Sequence, residues 1–149
     1  MENGEIIEIE VAKSPTQELL QGLNALLPQL SGSAQPLKRA ELEAMLSDES
    51  VNLLVAREKV SGAVVGTLTM VVFRIPTGVR AWIEDVVTDS SIRGRGIARK
   101  MVLDSIEIAK SFGAKTVDLT SRPSRVEANG LYLAMGFEIR DTNVYRYTI

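Results

Sequence analysis

The chain has 149 residues, 45% of them apolar and 24% charged, with a formal net charge of −2. That is the make-up of one ordinary globular domain, long enough to bury a sizeable core without staples, and a pI of about 5.3 leaves no basic surplus for a nucleic-acid backbone. Histidine and cysteine are both absent, which excludes cysteine nucleophiles, histidine bases, disulfides and the usual Cys/His zinc sites; carboxylates, tyrosine and lysine remain as acid–base groups.

No apolar run approaches the ~20 residues of a membrane-spanning helix. The opening MENGEIIEIE is acidic and lacks the basic start and apolar block of a signal peptide. The expectation is a cytoplasmic protein of one domain over residues 1–149.

In chain order, residues 5–11 alternate, with Ile7, Ile9 and Val11 against Glu8 and Glu10, and predict a half-buried strand. Ser14, Pro15 and Gln17 read as N-cap, first turn and capping box of a helix whose leucines, from Leu19 to Leu30, form one apolar stripe. A small polar loop, 31–36, leads to a short helix over 38–47 with Leu42, Met45 and Leu46 inward. Strands are predicted over 51–57, 63–75 and 79–88, joined by turns at 58–62 and 76–78, with Gly66 as a bulge. They read as an antiparallel meander.

Next comes Arg93-Gly94-Arg95-Gly96-Ile97-Ala98 and an amphipathic helix ending near Phe112, where Gly113 is a stop signal. A short strand over 116–120 should lie parallel to the strand before the helix, through a crossover. Ser124 and Glu127 suggest a capping box for a helix running through Met135. Residues 137–140 and 144–149 read as two closing strands.

Three constellations carry chemistry. The first is the turn at 93–98. A strand, a glycine-rich turn and a helix N-terminus gather bare backbone N–H groups at the positive end of a helix dipole. Gly94 and Gly96 permit close approach, and Arg93 and Arg95 add charge. A phosphate cradle and a plain tight connection are both open readings. The turn has neither a P-loop's Gly-Lys-Ser/Thr nor the spacing G-x-G-x-x-G. Arg-Gly pairs also occur in RNA-binding tails, but those come in arrays outside regular structure.

The second constellation is Glu84-Asp85. Adjacent strand residues point to opposite faces. A carboxylate among Trp82, Ile83, Val86 and Val87 is either desolvated, and a candidate base, or paired in a salt bridge. The third is Asn129 and Tyr132, three apart on one helix face. A tyrosine hydroxyl can protonate a leaving group and an amide can hold an amide-bearing arm. The bland alternative is a tyrosine at the core's edge.

Together these constellations resemble the GNAT superfamily of N-acetyltransferases. Its glycine signature, Arg/Gln-x-x-Gly-x-Gly/Ala, appears at Arg93 to Ala98 after the expected strand. Its later Leu-Tyr and Gly-Phe pairs appear as Leu131-Tyr132 and Gly136-Phe137. The order of elements matches over residues 5–149. Ile92, where an aromatic residue often precedes the signature, is a mild departure. The phrase Ile83-Glu84-Asp85-Val86-Val87 is similar to the corresponding strand of glucosamine-6-phosphate N-acetyltransferases, a local likeness that does not assign an amino sugar.

The resemblance implies an α/β fold of the mixed α+β kind: a central mixed, mostly antiparallel sheet of six to seven strands with about four helices on both faces. It implies a splay between the strand ending near Thr88 and the one at 116–120, with acetyl-CoA in the splay. Backbone groups of Val86, Val87 and Thr88 would pair with the pantetheine arm. Arg93, Gly94, Arg95, Gly96, Ile97 and Ala98 would hold the pyrophosphate. Asn129 would help to hold the pantetheine end, and Tyr132 would protonate the departing thiolate. No metal is implied. The acceptor would be a primary amine of a small molecule, peptide or protein, with Glu84 the first choice of base and Asp85 the second, acting directly or through a water relay. Direct transfer is expected, without a covalent acyl-enzyme. Tyr145 is expected in a closing strand, with a contribution to the acceptor pocket as the alternative. A homodimer is possible by analogy with the fold; no nucleic-acid or membrane partner is expected from the charge and hydropathy of the chain. The rival from another class is a non-catalytic acyl-CoA-binding or regulatory module on the same fold.

Overall fold

The computed structural model describes residues 6–149, so Glu5 and the start of the first predicted strand lie outside the described residues. The elements are β1 (Ile7–Val11), α1 (Gln17–Leu30), α2 (Arg39–Ser47), β2 (Val51–Glu58), β3 (Val64–Ile75), β4 (Gly78–Thr88), α3 (Ile97–Ser111), β5 (Val117–Leu119) and α4 (Val126–Ala134). A single 3₁₀ turn, Ser90–Ile92, sits between β4 and α3. The strands form one sheet in the order β1-β2-β3-β4-β5. The first four pair antiparallel, β2–β3 and β3–β4 through short turns and β1–β2 across the α1–α2 connection. β5 pairs parallel to β4 after the α3 crossover, as the pattern predicts.

Helices cover both faces of the sheet, and β2 shows why. Leu53, Leu54, Val55 and Ala56 are all buried, an unbroken apolar run of the kind a doubly covered strand needs. Leu54 and Ala56 pack with Met101 and Val102 of α3 and Tyr132 of α4. Leu53 and Val55, on the opposite face, pack with Leu19 and Leu23 of α1 and Leu42 of α2. Each fully buried leucine or valine contributes roughly 1.5–3 kcal/mol.

The α3 layer sits close to the sheet because Gly66 has no side chain. A Cβ there would lie 3.1 Å from Met101 Cε and 3.3 Å from the Val87 carbonyl oxygen. The bulge expected at Gly66 falls beside it: Ala56 pairs with Gly66 and Arg57 with Val64, leaving Val65 without a register partner.

α1 starts two residues later than the capping-box reading of Ser14 predicts. Thr16 is the N-cap, its hydroxyl accepting from Leu19 N–H at 3.2 Å. From the middle of α1, Asn24 stands in for a strand neighbour of the chain that follows the helix. Its Oδ1 accepts from Leu37 N–H at 2.7 Å and its Nδ2 donates to the Leu37 carbonyl at 3.0 Å. The loop 31–36 is therefore fastened where it rejoins the fold.

Two further expectations are corrected. Ser124 does not cap α4: Arg125 is the N-cap residue and makes no side-chain bond. Asn129 satisfies the preceding loop instead, donating to the Arg122 and Arg125 carbonyls at 2.9 Å each. The closing strands at 137–140 and 144–149 are absent, so the sheet has five strands and not six to seven. Alternation shows only that a segment suits a sheet; residues 138–149 run exposed and pair with no strand. Tyr145, expected in a strand, lies in this segment and is exposed.

Candidate active site

The site is assembled where β4 outruns β5. Parallel pairing covers only Ala81, Ile83 and Trp82 against Val117, Leu119 and Asp118. β5 stops at Leu119, whereas β4 continues to Thr88. From Glu84 onward the β5-facing edge of β4 has no strand beside it. An opening at this place is what the resemblance implies.

β4 is irregular at this point. Thr69 pairs with Glu84 and Thr67 with Val87, so Leu68 alone faces both Asp85 and Val86. Asp85 takes a left-handed φ of +52°, the only positive φ at a non-glycine among the described residues. Asp and Asn tolerate that conformation better than other side chains. Bulges of this kind re-aim side chains beside functional sites. The strict opposite-face rule for Glu84 and Asp85 therefore fails, because it assumes an unbroken pleat.

The two carboxylates also differ chemically. Glu84 Oε1 accepts from Trp82 Nε1 at 2.7 Å. Asp85 makes no side-chain bond among the described residues. Removal from water, and secondly the negative charge of Glu84, push its pKa up.

Beyond Thr88 the chain turns on Asp89, whose carboxylate accepts from Ser91 N–H at 2.9 Å and from Ser91 Oγ at 2.6 Å. The Ser91 hydroxyl is the main cause that holds the Asp89 pKa down. Arg93 Nε donates to the Thr88 carbonyl at 3.2 Å. Gly94 and Gly96 take φ of +81° and +76°. Gly96 is the N-cap of α3 and offers no side-chain bond, so the first N–H groups of the helix lack a cap. Gly94, Gly96, Arg93 and Arg95 are exposed, while Ile97 is buried in the core beneath them.

Tyr132 lies on the inner face of α4 and is 9% exposed. Phe137 meets it edge-on, with ring centroids 5.7 Å apart. Burial pushes the phenol pKa up, tempered by the charge of Arg125. Its hydroxyl has no hydrogen-bond partner among the described residues. Asn129, on the same helix, has spent its amide hydrogens on the Arg122 and Arg125 carbonyls and keeps Oδ1 as an acceptor.

Three residues at this end of the sheet were missed in the sequence. Thr88 Oγ1 and Ser121 Oγ are buried hydroxyls with no partner. Thr88 ends β4 and Ser121 follows β5, so they flank the opening between the strands; buried unpaired hydroxyls are uncommon and call for a partner. Thr88 was read only for its backbone, and Ser121 carried no signal at all. Gln29, at the end of α1, accepts from Ser90 N–H at 2.8 Å and donates to Asp89 Oδ2 at 3.3 Å. No spacing links positions 60 residues apart.

A cavity of ≈ 450 Å³ lies elsewhere, lined by Leu27, Gln35, Pro36, Leu37, Lys38 and Glu41. None of Glu84, Asp85, Asn129 and Tyr132 borders it. Among the described residues no group of three or more side chains could hold a metal ion. No helix among them is long and apolar enough to cross a membrane.

Comparison with known proteins agrees with this fold. Residues 19–137 match the acetyltransferase (GNAT) family. Glucosamine 6-phosphate N-acetyltransferase 1 of Oryza sativa subsp. japonica is 30% identical over 139 residues, covering 87% of this chain and 81% of that protein. The uncharacterized N-acetyltransferase YvbK of Bacillus subtilis (strain 168) is 33% identical over 58 residues; the match spans 39% of this chain and only 37% of that protein. Among solved structures, an acetyltransferase of Trypanosoma brucei superposes with a TM-score of 0.80 at 25% identity, covering 95% of this chain and 99% of that one. Aminoglycoside N-acetyltransferase AAC(6')-Iy in complex with CoA shares the fold alone: TM-score 0.79 at 16% identity, covering 95% and 94% of the two chains. With more than half of its length matched, the chain belongs to the acetyltransferase (GNAT) family, a family of acyltransferase enzymes.

Proposed function

We propose that this protein moves an acetyl group from acetyl-CoA to a primary amine by direct attack. The observation that carries this reading is the edge of β4 from Glu84 to Thr88, unpaired on its β5 side and leading straight into the uncapped N-terminus of α3. An extended arm fits such an edge as an added strand, and an anionic head fits such a terminus.

The residues suit this donor. The unpartnered Thr88 and Ser121 hydroxyls await a polar group, and a Cβ at Gly94 or Gly96 would meet nothing within 4 Å, so the space above the turn is open. The thioester, when bound, supplies an activated acyl carbon and a thiolate leaving group. Backbone groups of Val86, Val87 and Thr88 hold its arm. Gly94, Gly96, Ile97 and Ala98 present N–H groups to the pyrophosphate, with Arg93 and Arg95 adding charge. Asn129 Oδ1 accepts from the arm's amide.

Asp85 takes a proton from the acceptor ammonium, directly or through water, because only the neutral amine has a lone pair. The sequence ranks Glu84 first, but its bond to Trp82 ties it down, whereas Asp85 is unpaired and raised in pKa. Tyr132, held protonated by burial, gives its phenolic proton to the thiolate sulfur.

The acceptor is a small-molecule amine in this reading. Glucosamine 6-phosphate and aminoglycosides, named in two of the similar proteins, are the first compounds to try. The test is release of free thiol from acetyl-CoA across amino sugars, amino acids, polyamines and peptides. At least one amine should accelerate release well above hydrolysis. Acetyl-CoA should also raise the melting temperature; failure of both would sink the proposal.

A further inference from the structure

The turn at 93–98 has little of its own to hold it in place. Gly94 and Gly96 take left-handed φ. No N–H of Gly94, Arg95 or Gly96 makes a backbone hydrogen bond among the described residues. Free N–H groups suit an anion, but nothing inside the turn fixes where they point. Their aim is set at the two ends. Downstream, Ile97 is buried in the core and starts α3. Upstream lies the 3₁₀ turn, Ser90–Ile92.

That upstream end is tied to the sheet by its backbone: Asp89 N–H donates to the Val65 carbonyl at 2.8 Å, and Ile92 N–H to the Asp89 carbonyl at 3.1 Å. It is also held by a side chain from α1, which packs on the other face of the sheet from α3. Gln29, in the last turn of α1, accepts from Ser90 N–H at 2.8 Å and donates to Asp89 Oδ2 at 3.3 Å.

The chemistry of these partners fixes the Gln29 amide. A backbone N–H can only donate, and an ionised carboxylate can only accept. Ser91, and after it Gln29, hold the Asp89 pKa down. The amide oxygen must therefore face Ser90 and the nitrogen Asp89. Gln29 is exposed, so it fills no place in the core. What it contributes is placement.

We infer that Gln29 is a positioning residue for the donor: by clamping Asp89 and Ser90 it aims the free N–H groups of the turn 93–98 at the pyrophosphate. This rests on the acetyl-CoA reading above. It makes α1 part of the donor site, although α1 supplies no group that touches the donor.

Calorimetric titration with acetyl-CoA tests this. Gln29→Ala should raise Kd roughly three- to tenfold, the range for losing a modest hydrogen bond or two, with a melting temperature close to the parent's. KM for acetyl-CoA should rise by more than kcat falls, and amide exchange at Ser90 should quicken in the ligand-free protein. Gln29→Glu should bind still more weakly, because it sets a second carboxylate against Asp89. The paired variant Gln29→Glu/Asp89→Asn should recover most of the parent's affinity. There the new carboxylate accepts from both Ser90 N–H and the new amide, whose oxygen still accepts from Ser91. A Gln29→Ala protein that melts lower but keeps the parent's Kd overturns the inference, as does a paired variant that binds no better than Gln29→Glu. A parent that binds no acetyl-CoA overturns the donor reading and this inference together. A parent that binds it while Gln29→Ala binds it equally well overturns this inference alone.

Discussion

Trp82 holds Glu84: the indole N–H donates to the carboxylate at 2.7 Å, two residues along one strand and on one face of it. Asp85, next in the chain, has no such partner and sits on a bulge with φ +52°. The two carboxylates are therefore unequal. Asp85→Asn should lower kcat/KM at neutral pH by about 10²-fold or more, the range for removing a general base. Glu84→Gln should cost much less. Steady-state assays with a good amine acceptor decide between them; equal losses would return Glu84 to contention.

Asp85 also sets a pH signature. Its folded pKa is raised above 3.8, so its proton is lost later than that of an ordinary aspartate. A base works only when unprotonated, so activity should fall as pH drops through that raised value. The stability effect has the opposite sense. The folded state holds the proton more tightly than the unfolded chain, so ionising Asp85 costs stability as pH rises above the unfolded value. Asp85→Asn should melt higher than the parent at pH 7. The gap should narrow toward pH 4, leaving only what asparagine gains from its tolerance of left-handed backbone. Calorimetric scans of both proteins across pH measure this.

Tyr132→Phe separates chemistry from packing. The ring and its edge contact with Phe137 survive, and the hydroxyl leaves no protein partner behind. The melting temperature and the Kd for acetyl-CoA should hardly move. kcat should fall at least about tenfold, since positioned acids typically give 10²–10⁴-fold. An unchanged kcat would remove Tyr132 from the acid role.

Gly66 and Gly96 should fail for different reasons. Gly66→Val puts methyl groups where Met101 Cε and the Val87 carbonyl already press; overpacking of this kind costs about 1–3 kcal/mol. Gly96→Ala meets nothing within 4 Å but must hold φ +76°, a strain of about 1–2 kcal/mol. Denaturant titrations should show both losses. Only Gly96→Ala should lose affinity for acetyl-CoA beyond its stability cost.

Most of the fold was legible because it is written in short-range patterns. The alternation of β1, the leucine stripe of α1 and the glycine signature before α3 each report on neighbours in sequence. The caps were harder, since Ser14 and Thr16, or Ser124 and Arg125, compete for one role and only the local backbone decides. The closing strands were misread because a strand pattern such as Tyr145-Arg146-Tyr147 does not name its partner. At the site, the residue types were legible but their inequality was not. The bulge at Asp85 depends on register with Thr67 and Thr69, and the Gln29 bonds to the β4–α3 turn depend on how α1 lies across the sheet.

The pair of hydrogen bonds between Asn24 and Leu37 has a consequence for how this protein can change. It fixes the place where the loop 31–36 comes home, while the end of α1 fixes where it leaves. What lies between is a hoop on two anchored posts. Doubling its length raises the closing cost by only about 0.6 kcal/mol. Residues can therefore be spliced in here, or exchanged wholesale, without disturbing the sheet below, so long as Asn24 is kept.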